Sequence, residues 1–464
     1  MQARYQATLQ PEQMKGHKAG CLHRKQVLFQ VFSRPSEIDP SPRKSPRRGK
    51  CLQPPHRVFR VDAILGSPAP PAYFPMNNVR IGIVGLGNMG ASHATSILAG
   101  KVPRLELTAI SDFDLSRCGR FPTVKAFATV DEMIDSGLID ALLIATPHYQ
   151  HTTLGIRALK AGLHVMVEKP VSVHKADALR LNAAHKNKKQ VFAAMFNQRT
   201  DLYYQKIRHL IRSGELGEIR RVNWIITNWF RTEAYYGSGG WRATWAGEGG
   251  GVLLNQCPHN LDLFHWMFGL PKRVRAHCGF GKYHSIEVED DVTAYFEFAN
   301  GATGVFITST GEAPGTNRLE ITAERGKLVY ENDKISYTRN ETPMTEFSRT
   351  TTGAFAQPDT WDVAISAANH GGQHNEILKN FTAAILDGAP LLSPASEGIH
   401  SVELANAMLL SAWTDETIAL PLDAARYEKL LQQKIAASAR SKPKKKAVTT
   451  TTAGSDDFSK SFGK

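Results

Sequence analysis

Cysteine is scarce in this chain of 464 residues: there are five (Cys21, Cys51, Cys118, Cys257 and Cys278) and no CxxC pair. Such spacing offers neither a disulfide framework nor a thiolate metal site, and it fits a reducing, cytoplasmic compartment. Long apolar runs are missing as well. None approaches the roughly eighteen residues that cross a bilayer, so no membrane partner is expected. No unit recurs at a fixed period, which excludes a repeat architecture. The middle of the chain lacks an excess of either charge. The whole carries a formal +13, yet residues 1–75 hold 13 Lys and Arg against 4 Asp and Glu, residues 438–464 hold 7 against 2, and residues 76–437 are left at −1. The basicity belongs to the two ends and gives no reason to expect a nucleic-acid partner.

Those ends are poor in periodicity. Residues 1–75 contain 11 of the 24 prolines and close on "GSPAPPAYFP"; residues 438–464 include "SKPKKKAVTTTTAGSDD". Neither composition can bury enough surface to offset chain entropy. A disordered basic extension is expected over 1–76 and a disordered basic tail over 438–464. Met76 stands directly before the first strand and reads as the natural start. A disordered arm and a cleaved targeting segment are the alternatives. Arg47-Arg48 is not followed by the apolar stretch of a twin-arginine signal.

From Val79 to about Met195, short apolar runs alternate with amphipathic stretches. The runs are "VRIGIV", "LELTAIS", "ALLIAT", "HVMVEK" and "QVFAAM". This rhythm predicts a parallel, doubly wound α/β domain over 77–195. After Asn197 a helical "YYQKIRHLIRSG" leads into longer alternating strands such as "DVTAYFEF" and "GVFITST". Residues 196–437 are therefore expected to form an α+β domain on a large, mainly antiparallel sheet.

"GIVGLGNMG" places Gly85, Gly87 and Gly90 directly after the first strand and directly before a helix, with Asn88 and Met89 between the last two. Strand, glycines and helix together form a dinucleotide fingerprint; the alternative is an ordinary tight βα turn. Asp112 ends the second strand 22 residues after Gly90. A carboxylate there accepts hydrogen bonds from ribose hydroxyls and repels a 2′-phosphate, which favours NAD over NADP. Asp112 could instead cap a helix, and Arg117 leaves room for the phosphate.

"HVMVEKP" ends a buried strand in Glu168 and Lys169. A buried lysine is costly without a partner or a task, whereas a strand that simply ends in solvated charge is not. In "GEGGGVLLNQCPHNLDLFHWMFG" a helix from about Val252 would align Asn255, His259, Asp262 and Trp266 on one face, opposite Cys257, Leu261, Phe264 and Phe268. Pro258 would bend or interrupt it. The polar face reads as a site wall or as a solvated surface. Four of the seven tryptophans lie between Trp224 and Trp245, along with Phe230, Tyr235 and Tyr236; such aromatic faces suit sugars or nicotinamide and equally plain core packing.

Taken together, GLGNMG, "ATPHYQH" (145–151), "EKP" (168–170), "WR" (241–242) and "GGGVLLNQCPH" (249–259) resemble the glucose–fructose oxidoreductase and inositol dehydrogenase (Gfo/Idh/MocA) family over roughly 77–437. The resemblance implies that Lys169 reaches between cofactor and substrate and that His259 exchanges the proton. Thr146, Pro147, His151, Glu168, Trp241 and Arg242 would line the cofactor, and Asn255 and Tyr236 would join Lys169 and His259 on the substrate. Many members carry aspartate where this chain has Asn255, which cannot raise the imidazole pKa as a carboxylate would.

Three functions follow as expectations. The first is an NAD-dependent oxidoreductase acting on a secondary hydroxyl, or the matching ketone, of a sugar, glycoside or cyclitol. The second is a redox-neutral enzyme that retains NAD and eliminates or cleaves a glycoside. The third is a non-catalytic dinucleotide-sensing partner protein, disfavoured by the presence of both Lys169 and His259. The second sheet suggests a homodimer or homotetramer, as in relatives. Because 76–437 is near-neutral and holds every motif, a chain of residues 76–440 is expected to keep its melting temperature and activity. Aggregation of that truncation would show that the ends contribute to the fold.

Overall fold

A computed structural model describes residues 77–238 and 240–441. The expected disordered extension lies outside them, as does the tail beyond 441. Within them the helix Ala424–Ser441 runs past the expected tail boundary at 438.

Six strands form a wholly parallel sheet: β1 (Val79–Val84), β2 (Leu105–Ser111), β3 (Lys125–Phe127), β4 (Ala141–Ile144), β5 (His164–Val167) and β6 (Phe192–Ala194). Their order is β3-β2-β1-β4-β5-β6, so the winding reverses beside β1. Val79, Ile81, Ile83, Leu142, Val165 and Val167 are fully buried, as strands covered on both faces must be. Only β3 escapes the sequence pattern, because three residues at a sheet edge carry no period.

Nine strands form the second sheet: β7 (Ile219–Ile226), β8 (Arg273–Phe280), β9 (Glu289–Glu297), β10 (Thr303–Ser309), β11 (Asn317–Ala323), β12 (Gly326–Glu331), β13 (Lys334–Asn340), β14 (Thr360–Ile365) and β15 (Ile418–Ala419). Their order is β14-β13-β12-β11-β7-β10-β9-β8-β15, and only β7 and β10 pair in parallel. Alternation along β9 buries Val292, Ala294 and Phe296 and exposes Thr293 and Tyr295. The buried face packs on the helices Pro258–Phe268 and Ile399–Thr414, with Phe264 edge-on to Phe296 at 5.0 Å. Among the described residues no helix is long and apolar enough to cross a membrane.

The parallel sheet is completed from the far end of the chain. Ile377, Leu378 and Phe381 of the helix Gln373–Asp387 join Val79, Ile81, Ile83 and Ile110 in one core. On the opposite face, Ala395, Ile399 and Val402 join Ile144, Val165 and Val167. Residues 373–402, which the sequence rhythm assigns to the second domain, thus cover the first sheet. An amphipathic helix carries no mark of which sheet it will cover. Phe381→Ala is expected to cost about 3–5 kcal/mol through the cavity it leaves, read as a lower urea midpoint. A loss below about 1 kcal/mol would show that this helix stands outside that core.

Candidate active site

The glycine loop leaves β1 at the reversal point of the parallel sheet, where such sheets gather ligands outside their carboxyl ends. A Cβ on Gly90 would lie 1.8 Å from the Gly85 carbonyl oxygen, so only glycine lets the helix Asn88–Leu98 start this close to the loop. Gly87 caps that helix without a side-chain bond, and a Cβ there would meet nothing within 4 Å. The first-turn N–H groups, including those of Asn88, Met89 and Gly90, have no partner within the helix. Beside them the buried Thr146 hydroxyl also lacks a partner. An open helix start with an unused buried hydroxyl fits the pyrophosphate of a dinucleotide.

Asp112 stands at the end of β2, almost fully buried. Its Oδ2 accepts from Leu86 N–H at 2.5 Å and its Oδ1 from Asp114 N–H at 2.9 Å. Arg117 lies 3.5 Å away, and Arg120 donates to the Leu86 carbonyl. The carboxylate therefore supports the glycine loop from the end of β2. Asp112 caps no helix; the neighbouring Asp114 does so.

Behind the loop, His151 lies 2.8 Å from the Thr146 carbonyl and 2.7 Å from that of Pro170. Buried among backbone, it ties the loop after β4 to the turn after β5. Pro147 starts the helix His148–Lys160. Glu168 pairs with His93 at 2.7 Å, both buried. Burial alone would raise the Glu168 pKa, but His93, His374 and Lys169 hold it down at about 2. The Lys169 ammonium donates to the Asn255 carbonyl at 2.8 Å. Burial lowers its pKa; Glu168 and Glu248 oppose that fall, while Arg242 and Arg231 add to it.

The glycine run departs from the expected helix. Gly251 N–H and Leu253 N–H both donate to the Glu289 carboxylate, at 2.8 and 3.0 Å, and Val252 N–H to the Glu289 carbonyl. A Cβ on Gly251 would lie 2.0 Å from that carbonyl oxygen. With these donors engaged by β9, residues 252–257 form turns, and the helix begins at Pro258. Proline suits that first position because it has no N–H to lose. Asn255 therefore precedes the helix. His259 opens it, buried, with Nδ1 unpartnered. Burial, Lys169 and His374 all push its pKa well below the ordinary histidine value, so the ring is neutral. Asp262 is no site wall. It forms a fully buried ion pair with Arg199 at 2.7 Å, and Arg199 also bonds Glu397.

Other expected residues are distributed unevenly. Trp224, Trp229 and Trp245 are core, while Trp241 is half-buried and edge-on to His148 at 5.6 Å. Tyr236 turns into the core to bond the Thr310 hydroxyl at 2.8 Å. Its neighbour Tyr235 occupies the site: its hydroxyl accepts from Arg242 at 2.9 Å and Gln256 at 3.2 Å, and donates to Asn255 Oδ1 at 3.4 Å. Glu248 accepts from the Asn255 amide and lies 3.9 Å from Arg242. Glu248, His93 and His374 escaped sequence reasoning, and Tyr235 entered it only as one of a group of aromatics. Only Glu248 carried a signal there, as an acid set against the glycine run.

Residues 79–196 match the family model described as oxidoreductase family, NAD-binding Rossmann fold, and residues 204–329 match that of the GFO/IDH/MocA C-terminal domain. The chain belongs to the Gfo/Idh/MocA family. Its first domain is accordingly an NAD-binding Rossmann domain. Among family members, the uncharacterized oxidoreductase YdgJ of Escherichia coli is 31% identical over 196 residues, 42% of this chain and 55% of that protein. Inositol 2-dehydrogenase of Leifsonia xyli subsp. xyli is 29% identical over 201 residues, again 42% and 55%. The matches thus span little more than half the length of these relatives. Among solved structures, the WlbA dehydrogenase of Bordetella pertussis, in complex with NADH and UDP-GlcNAcA, is 25% identical with a TM-score of 0.62, covering 75% of this chain and 100% of that one. Levoglucosan dehydrogenase, in complex with NADH and levoglucosan, shares the fold at 20% identity, with a TM-score of 0.62 over 74% of this chain and all of that one.

Asp112→Ser is expected to narrow the preference for NAD over NADP, while weakening both because the Leu86 N–H loses its acceptor. Fluorescence titration with both reduced cofactors measures this. Tighter binding of NADPH than NADH by the unmodified protein would overturn the ribose assignment.

Proposed function

We propose that this protein is an NAD-dependent dehydrogenase acting on a secondary hydroxyl of a sugar, glycoside or cyclitol, or reducing the corresponding ketone. The observation that carries the reading is that the Lys169 ammonium, just past the carboxyl end of β5, bonds the Asn255 carbonyl at 2.8 Å, four residues before His259. Lys169 and His259 lie close enough for the lysine's charge to depress the histidine. Support comes from relatives named inositol 2-dehydrogenase and from the sugar-nucleotide complex of the similar WlbA dehydrogenase.

When bound, the cofactor supplies the hydride acceptor. The chain's own residues manage the oxygen and its proton. The Lys169 ammonium stabilises negative charge on the carbinol oxygen as its proton departs. His259 is neutral with a free Nδ1, the state a general base requires. Asn255 and Tyr235 offer further hydrogen bonds to neighbouring hydroxyls. Thr146, Trp241 and Arg242 would lie toward the cofactor in this reading, with Glu168, Pro147 and His151 holding the turns that carry them.

A panel of sugars and cyclitols, followed by NADH absorbance, identifies the substrate. On that substrate, His259→Ala and Lys169→Ala are each expected to lower turnover by about 10²–10⁴, with NADH affinity preserved. Asn255→Ala costs less, since it orients and transfers nothing. A base is active when unprotonated, so a lowered His259 pKa sets the acid limb of turnover below pH 6.5, the unperturbed value. Near-normal turnover in both the lysine and the histidine variants would remove this mechanism.

A further inference from the structure

Glu248 is almost fully buried immediately before the glycine run 249–251, and donors surround it. One carboxylate oxygen accepts from the Asn255 side-chain amide, and the other from Ala243 N–H at 2.6 Å. Arg242 lies 3.9 Å away. The residue's own carbonyl faces His148 Nδ1 at 3.3 Å. Both carboxylate oxygens thus meet donors; burial raises the Glu248 pKa, while Arg242, the Ala243 N–H, the Asn255 amide and Lys169 oppose that rise and favour the charged form. Asn255 is bonded on both its ends: its side chain to Glu248 and Tyr235, its carbonyl to the Lys169 ammonium.

We propose that Glu248 is the positioning residue of this site. It fixes the Asn255 amide so that Oδ1 faces Tyr235 and the substrate side, and it supplies the negative charge behind the carbonyl that holds Lys169. A carboxylate eleven residues before His259 thereby does what Asn255 cannot do alone. The charged groups acting on Lys169 are Glu168, Glu248, Arg242 and Arg231, and the titratable His148, His151, His259 and His374 also face it. Glu168 and Glu248 together oppose the two guanidinium groups, and of the two Glu248 is the one bonded to the residue whose carbonyl holds Lys169. This inference rests on the proposed dehydrogenase reading, in which Lys169 acts as a cation.

The test is Glu248→Gln, which removes the charge and keeps an oxygen for the Asn255 amide. Two readouts are taken: the pH profile of turnover, and competitive acetylation of Lys169 followed by mass spectrometry across pH. The second needs no substrate. Loss of a facing carboxylate makes the ammonium easier to deprotonate, so the labelling midpoint of Lys169 is expected to fall by about half to one pH unit. The alkaline limb of turnover falls with it. Glu248→Asp, which keeps the charge, is expected to leave the midpoint in place while lowering turnover, and it serves also if the Gln variant fails to fold. An unchanged Lys169 midpoint in Glu248→Gln, or an Asp variant shifted downward by a similar amount, overturns the inference. Absence of NADH formation on every polyol with the labelling shift intact overturns the dehydrogenase reading and leaves the placement of Glu248 standing.

Discussion

A lysine ammonium half-withdrawn from water is the constraint on which this site is built. Removing a cation from water costs several kcal/mol after relaxation, and the charge must be answered by groups held in place. Among the described residues the Lys169 ammonium meets no carboxylate directly; its bond is to the Asn255 carbonyl. The two buried carboxylates that offset its charge, Glu168 and Glu248, are each committed elsewhere, to His93 and to Asn255. The ammonium is therefore stabilised in place without being neutralised by contact, which suits a group that must meet a substrate oxygen.

The fold supplies this arrangement by stiffening three turns. His151 joins the turn after β4 to the turn after β5. The Glu168–His93 pair joins the latter to the helix of the glycine loop. Glu289 on β9 holds the glycine run through two backbone donors, and burial lifts its own pKa to about 7. Each strut reaches between elements remote in sequence, so cofactor loop, lysine and histidine are positioned together. Helix Gln373–Asp387 adds to this from the far end of the chain. It seals the parallel sheet with Phe381 and brings His374 within 5.7 Å of His93, where its charge state influences both Glu168 and His259.

Asn255 orients its neighbours without a charge of its own, and Glu248 is the acidic group bonded to its amide. Here the orienting amide faces Tyr235 while the charge is set one hydrogen bond further back, next to Arg242. Charge at a greater distance from the imidazole affects it less, which accords with a His259 held neutral.

Much of this protein was legible in one dimension. Periodicity marked five of the six parallel strands and the change to an antiparallel sheet, because burial on one or both faces writes itself into residue spacing. The glycine loop and the Glu168–Lys169 end of β5 stood out because tight turns and buried charges are chemically expensive wherever they occur. Tertiary structure decided the rest. Pro258 starts the helix where spacing suggested an earlier one, since the backbone donors before it are claimed by Glu289 on β9. Asp262 became half of an ion pair because Arg199, 63 residues earlier, lies against it. Tyr235 took the place expected of Tyr236 because adjacent residues in a short helix point to different sides, and only the packing of Thr310 and His284 settles which side is core. Local cost can be read from a sequence, whereas the partner that meets it is chosen only when distant segments come together.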